Sequence, residues 1–222
     1  MNDLLDGLFS GRLDLVTVEP DGSMHTRPPK DAVVLAGSFN PLHFGHEGML
    51  GAAARITGRS PYYELSVTNV DKPPVPRAEV ERRLAQFKGK ARVVLTRSPT
   101  FPEKAALMPG TVFVIGFDTA ARLFPEKYYP PYDPARDPTR SGSAVALAMN
   151  TVRRSRCSFI VAGRVDADGR FHSLRDIEIP AQHKDLLEEL PETAFRADVS
   201  STEMRVQGRG PTDDAGFPLS RE

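Results

Sequence analysis

The stretch Gly37-Ser38-Phe39-Asn40-Pro41-Leu42-His43-Phe44-Gly45-His46 concentrates the residue types that handle phosphate. It follows a short β-branched run and precedes a helix expected over 44–57, so it forms a strand-to-helix junction. Gly37 permits a sharp exit from the strand and Pro41 stiffens the turn. The helix presents unpaired N–H groups and the positive end of its dipole to whatever occupies the loop, which makes the junction an anion site. His43 and His46 are three apart across the first helical turn, so their rings fall on one face, and Gly45 between them leaves room for a ligand to approach. Two imidazoles and backbone donors suit a polyphosphate. Histidines at this spacing can also share a zinc ion. That would need further ligands, and the chain offers only Cys157, His25, His172 and His183 elsewhere.

The elements that must carry this junction alternate. Short β-branched or aromatic runs stand at 33–36, 63–68, 91–95, 111–115, 157–162 and 194–199, and helices are expected at 44–57, 77–88, 118–123, 143–154 and 181–190. Strand alternating with helix implies a doubly wound α/β fold, a parallel sheet covered on both faces. Residues 1–32 read as an N-terminal appendage, 33–206 as the domain, and 207–222, rich in glycine and polar residues, as a disordered tail. The stretch 125–142 holds five prolines and three tyrosines and is expected to be an irregular, functional loop. Asp168-Gly169 marks a hairpin turn.

Composition narrows the function classes. Lys plus Arg and Asp plus Glu both number 29, so there is no basic surplus for nucleic acid or anionic lipid. Cys157 is the single cysteine and reads as an inert core residue, so no internal disulfide can form. No apolar run approaches the roughly 20 residues of a membrane span, and Asp3 and Asp6 stand where a signal peptide carries positive charge. A cytoplasmic protein is the expectation. The order of assembly is open.

Two motifs carry a family resemblance. Gly37 to His46 matches the GxFxPxHxGH signature of nucleotidylyltransferases with the Rossmann-like fold, and Val199-Ser200-Ser201-Thr202-Glu203-Met204-Arg205 resembles their second signature, ISSTxxR, with Val for Ile. The resemblance covers about residues 33–205. Within that superfamily the chain is most similar to the nicotinate and nicotinamide mononucleotide adenylyltransferases: Gly116-Phe117-Asp118 matches their ribose-binding glycine and aspartate, and Asp71-Lys72-Pro73-Pro74 is similar to their substrate loop.

The resemblance implies a Rossmann-like fold and transfer of AMP from ATP to a phosphorylated small-molecule acceptor, with release of pyrophosphate. It implies that Mg²⁺ is bound through the ATP phosphates. His43, His46 and Arg205 would be catalytic. Gly37, Ser38, Phe39, Gly45, Gly116, Asp118, Ser200, Ser201 and Thr202 would bind ATP, and Lys72, Phe117, Tyr128 and Tyr129 the acceptor. The family commonly stacks its pyridine ring on tryptophan, which this chain lacks; Phe117, Phe124 or the tyrosines of 128–132 are the aromatic substitutes. A nucleotide hydrolase on the same scaffold and a non-catalytic nucleotide-binding module are the alternatives. At least one of Arg82 and Arg83, on a charged helix with Glu79 at i,i+4 to Arg83, reads as a solvated or paired side chain.

Overall fold

The computed structural model describes residues 3–68, 73–129, 143–166 and 168–196. In chain order the elements are α1 (Asp3–Ser10), β1 (Leu15–Val18), β2 (Met24–His25), β3 (Ala32–Ala36), α2 (Phe44–Thr57), β4 (Ser60–Ser66), α3 (Arg77–Ala85), β5 (Val93–Thr96), α4 (Phe101–Leu107), β6 (Val112–Gly116), α5 (Phe117–Ala120), α6 (Ala144–Arg154), β7 (Ser158–Ala162), β8 (Arg164–Val165), β9 (Phe171–His172) and β10 (Leu187–Leu190).

One sheet has the order β10-β7-β6-β3-β4-β5-β1-β2. Its six strands β10, β7, β6, β3, β4 and β5 are parallel, and β1 joins β5 antiparallel. Counted along the chain, the parallel strands lie 3-2-1-4-5-6, the doubly wound order in which ligands bind beyond the strand C-termini where the order reverses. Here that point lies between β3 and β6.

The strands alternate between two cores because successive side chains face opposite ways. Val33, Leu35, Val93, Leu95, Val112 and Val114 face α1, α2 and α3 with Leu5, Leu50 and Val80. Val34, Val94, Phe113, Ile115, Phe159 and Val161 face α4 and α6 with Ala105, Val145, Met149 and Val152. Both faces are apolar, which is why these strands read as continuous hydrophobic runs.

Three expectations are corrected. Residues 1–32 are not set apart: β1 is a strand of the sheet, and Leu5, Leu8, Val16 and Val18 belong to the main core. The helix expected over 181–190 is a 3₁₀ segment at Ala181–Leu186 followed by β10, parallel to β7. Leu186, Leu187 and Leu190 fit either period over so short a span. The strand expected over 194–199 is a turn in its described part: the N–H groups of Ala194 and Phe195 bond Pro191 O, and Phe195 packs against the core instead. α4 was not foreseen, although Thr100 and Glu103 form its capping box, the Thr100 N–H donating to Glu103 Oε2 at 3.0 Å.

Candidate active site at the strand-order switch

β3 delivers the chain to the switch point, and the segment after it folds back on itself. Phe39 is fully buried, its ring edge-on to His46 at 5.1 Å, to Tyr63 at 5.2 Å and to Phe87 at 5.5 Å. Gly37 is required for space. A Cβ there would lie 2.9 Å from Phe39 Cε1 and 3.0 Å from Cζ. The left-handed backbone of this segment lies at Phe39, with φ 44°. Phe39 therefore offers a ligand no ring surface; its ring props His46.

The C-terminal half of α3 holds the outside of this loop. Arg82 Nη2 donates to Asn40 Oδ1 at 2.6 Å and Arg83 Nη1 to Ser38 O at 3.1 Å. Glu79 ties down both guanidiniums at 2.7 Å. Those two bonds hold Glu79's carboxyl at about 2, against a small opposing effect of burial. The side-chain amide of Gln86 bonds Phe39 O at 2.9 Å and the Leu42 N–H at 2.8 Å. The pairing of Arg82 and Arg83 with Glu79 was readable from i,i+3 and i,i+4 spacing. Their reach to the loop, and the role of Gln86, had no sequence signal because the partners lie 42 to 47 residues away.

His43 is the N-cap of α2, and its ring stacks on that of His46 with centroids 3.7 Å apart and 27° between planes. Burial pushes the His43 imidazole below its ordinary range. Burial, and then the neighbouring His43, push His46 down to about 3. Both rings are therefore neutral at pH 7. The His43 N–H approaches His46 Nδ1 at 3.4 Å, a long bond that still fixes Nδ1 as the acceptor, so the ring proton sits on Nε2. The helical ladder starts with the N–H groups of His46 and Glu47 bonding His43 O, so the N–H groups of Phe44 and Gly45 lie ahead of it. A 14-residue helix thus points its first N–H groups, its dipole and imidazole donors to one end, the arrangement that stabilises bound phosphate.

Across the switch point, β6 ends in Gly116. A Cβ on Gly116 would meet no atom of the described residues within 4 Å, and its φ of −78° suits any residue, so the space beside it is open. Asp118 is exposed and pairs with Arg164, which follows β7. The β8–β9 hairpin rests over this corner: His172 lies with its ring 5.4 Å from Phe117 and its Nε2 2.7 Å from Asp166 Oδ2. Since a carboxylate only accepts, Nε2 carries the proton of that bond. Phe117, Phe124, Ile177 and Ile179 border a cleft of about 770 Å³, the size range of small-molecule sites.

Of the expected acceptor residues, Phe117 lines that cleft. Tyr128 is half exposed under Lys127, whose Nζ lies 5.1 Å from the ring centroid. Tyr129 differs from expectation: its hydroxyl donates to Leu123 O and its ring packs on the core, so it acts as an internal strut. Burial, and then Glu126, push that hydroxyl up to about 12. Lys72, Ser200, Ser201, Thr202 and Arg205, with the tail at 207–222 and most of the loop 125–142, lie outside the described residues. His25 is engaged by Glu19 and His183 stacks on Phe124. Among the described residues no group of three His, Cys, Asp or Glu could hold a metal ion, and no helix is long and apolar enough to cross a membrane.

No family model matches the chain. It is 32% identical over 140 residues to a Schizosaccharomyces pombe protein whose name reads "Putative nicotinamide mononucleotide adenylyltransferase". The match takes in 57% of this chain and 54% of that protein, so the chain spans about half the length of the curated relative it matches.

Proposed function

We propose that the chain transfers AMP from ATP to a phosphorylated small-molecule acceptor, nicotinamide or nicotinic acid mononucleotide, releasing pyrophosphate. The observation that carries this reading is the stacked, neutral His43–His46 pair at the start of α2, at the reversal of strand order. The likeness to the fission-yeast protein supports the same class of reaction.

The chemistry asked of the protein is modest. An acceptor phosphate oxygen attacks the α-phosphorus in line; the P–O bond to the β-phosphate breaks, and its electron pair leaves with pyrophosphate. The attacking oxygen is already an anion, so no general base is needed. What the site must supply is orientation and stabilisation of charge on the α-phosphate and the leaving group. His46 Nε2–H and the leading N–H groups of α2 are preorganised donors for that purpose. His43 is assigned to the α-phosphate and His46 to the β- or γ-phosphate. Ser38, Gly37 and Gly45 belong to the loop that receives the triphosphate. The open space at Gly116 admits a ribose, whose hydroxyls Asp118 would share with Arg164.

By resemblance, Ser200, Ser201 and Thr202 bind the terminal phosphates and Arg205 neutralises pyrophosphate as a bidentate fork. Lys72 is assigned to the acceptor phosphate. Mg²⁺ enters as a component of the nucleotide substrate.

The test is a product assay with MgATP and each mononucleotide in turn. Dinucleotide and pyrophosphate in equal amounts are expected. ATP consumed at the same rate without acceptor would mean that water is the acceptor and the chain a hydrolase. Binding without turnover would leave a nucleotide-binding module.

A further inference from the structure

Phe39-Asn40-Pro41-Leu42 is a four-residue bend, and in an ordinary turn the first C=O would bond the last N–H directly. Here the turn at Asn40-Pro41 is braced from outside, because a side chain from another element bonds the same two groups. Gln86, the C-cap of α3, donates from Nε2 to Phe39 O at 2.9 Å and accepts at Oε1 from the Leu42 N–H at 2.8 Å. Its second amide hydrogen goes to Arg83 O at 3.1 Å. Flipping the amide would set Nε2 against an N–H and Oε1 against two carbonyls, so its orientation is fixed. The amide ties the two ends of the bend to α3, and the residue that follows the bend is His43.

The same amide acts on His46 from a second side. Phe39 keeps a backbone conformation that residues other than glycine avoid. The Gln86 bond to its carbonyl holds it there, together with ring contacts to Tyr63 and Phe87. With the backbone so fixed, the Phe39 ring stands edge-on to His46. On the other side, the clamped Leu42 leads into the His43 N–H, which approaches His46 Nδ1.

We propose that Gln86 is a positioning residue of the adenylyl-transfer site: its side-chain amide, bridging the two ends of the turn, fixes the bend that aims the His43–His46 pair. This rests on the adenylyl-transfer reading. Gln86→Glu preserves size and the acceptor for Leu42 but sets a carboxylate oxygen against the carbonyls of Phe39 and Arg83. Gln86→Met keeps shape and removes both bonds. Because a misplacement of about 1 Å costs about 10²-fold in rate, kcat for pyrophosphate release should fall by about 10- to 100-fold in both. KM for the acceptor should stay within about twofold, and the ¹⁵N shifts of the His46 ring should move. These are read below each variant's melting temperature. A merely space-filling role would lower Tm and leave kcat and the ring shifts as in the wild type, and that result in folded Gln86→Glu overturns the proposal. Should the wild type release no pyrophosphate with any acceptor, the adenylyl-transfer reading fails separately; unchanged His46 shifts in Gln86→Glu would still refute the positioning of the histidine, and altered shifts would uphold it.

Discussion

Replacing Gly37 by alanine should damage stability and catalysis through one ring. The added methyl would stand 2.9 Å from Phe39 Cε1 and 3.0 Å from Cζ. Carbon atoms rest at about 3.5–4.0 Å, so the ring must withdraw by roughly 0.5–1 Å. It has little room, since His46, Tyr63 and Phe87 pack edge-on around it and it is fully buried. Overpacking of this kind costs about 1–3 kcal/mol, or roughly 2–12 °C in Tm for a chain of this size. The ring packs on His46, so a displacement of up to about 1 Å should cost up to about 10²-fold in kcat. Thermal unfolding and pyrophosphate release on the same preparation check both halves. Wild-type Tm and kcat in Gly37→Ala would refute the claim that Phe39 fixes the histidine.

Gly116→Ala should behave oppositely: no described atom lies within 4 Å of the new methyl. Stability should hold or rise by about 0.4–1 kcal/mol while KM for ATP increases; a lower Tm would show that the space is not open. Protonation of His46 is resisted in the fold down to about pH 3, against an unfolded value near 6.5. Its contribution to stability is therefore complete above about pH 6.5 and is lost as pH falls toward 3. Urea midpoints between pH 8 and 4 should drop less steeply in His46→Gln than in the wild type, and parallel slopes would contradict this. Lys104 donates to Glu64 Oε1 at 2.8 Å and to Ser98 O at 2.6 Å, and the side chains of Lys104 and Glu64 are 6% and 1% exposed. Lys104→Ala strands a buried carboxylate and should cost about 3–5 kcal/mol; a urea-unfolding loss below about 1 kcal/mol would refute that.

The parts legible in the sequence were those with local causes. The candidate phosphate loop is marked by residue types within ten positions, and the parallel strands by apolar runs set by two buried faces. The α3 ion pairs followed from helical spacing. What sequence alone missed depends on distant partners or on short elements. Gln86 gives no sign that its amide spans a bend more than 40 residues away. Gly37 was read as permitting a sharp exit from the strand; the structure uses its missing side chain for space and puts the left-handed φ at Phe39. β10 was masked by a leucine pattern that fits helix and strand alike; the strand-like alternation of 13–18 is legible, but its place in the sheet is not, because its pairing partner, β5, comes some 80 residues later.

The most direct test of the central claim is the turnover of His46→Ala at saturating MgATP and mononucleotide, followed as pyrophosphate release. Loss of one preorganised donor to developing phosphate charge is expected to lower kcat by about 10²–10³-fold. Wild-type turnover in that variant would contradict the claim that the histidine pair acts on the transferred phosphate.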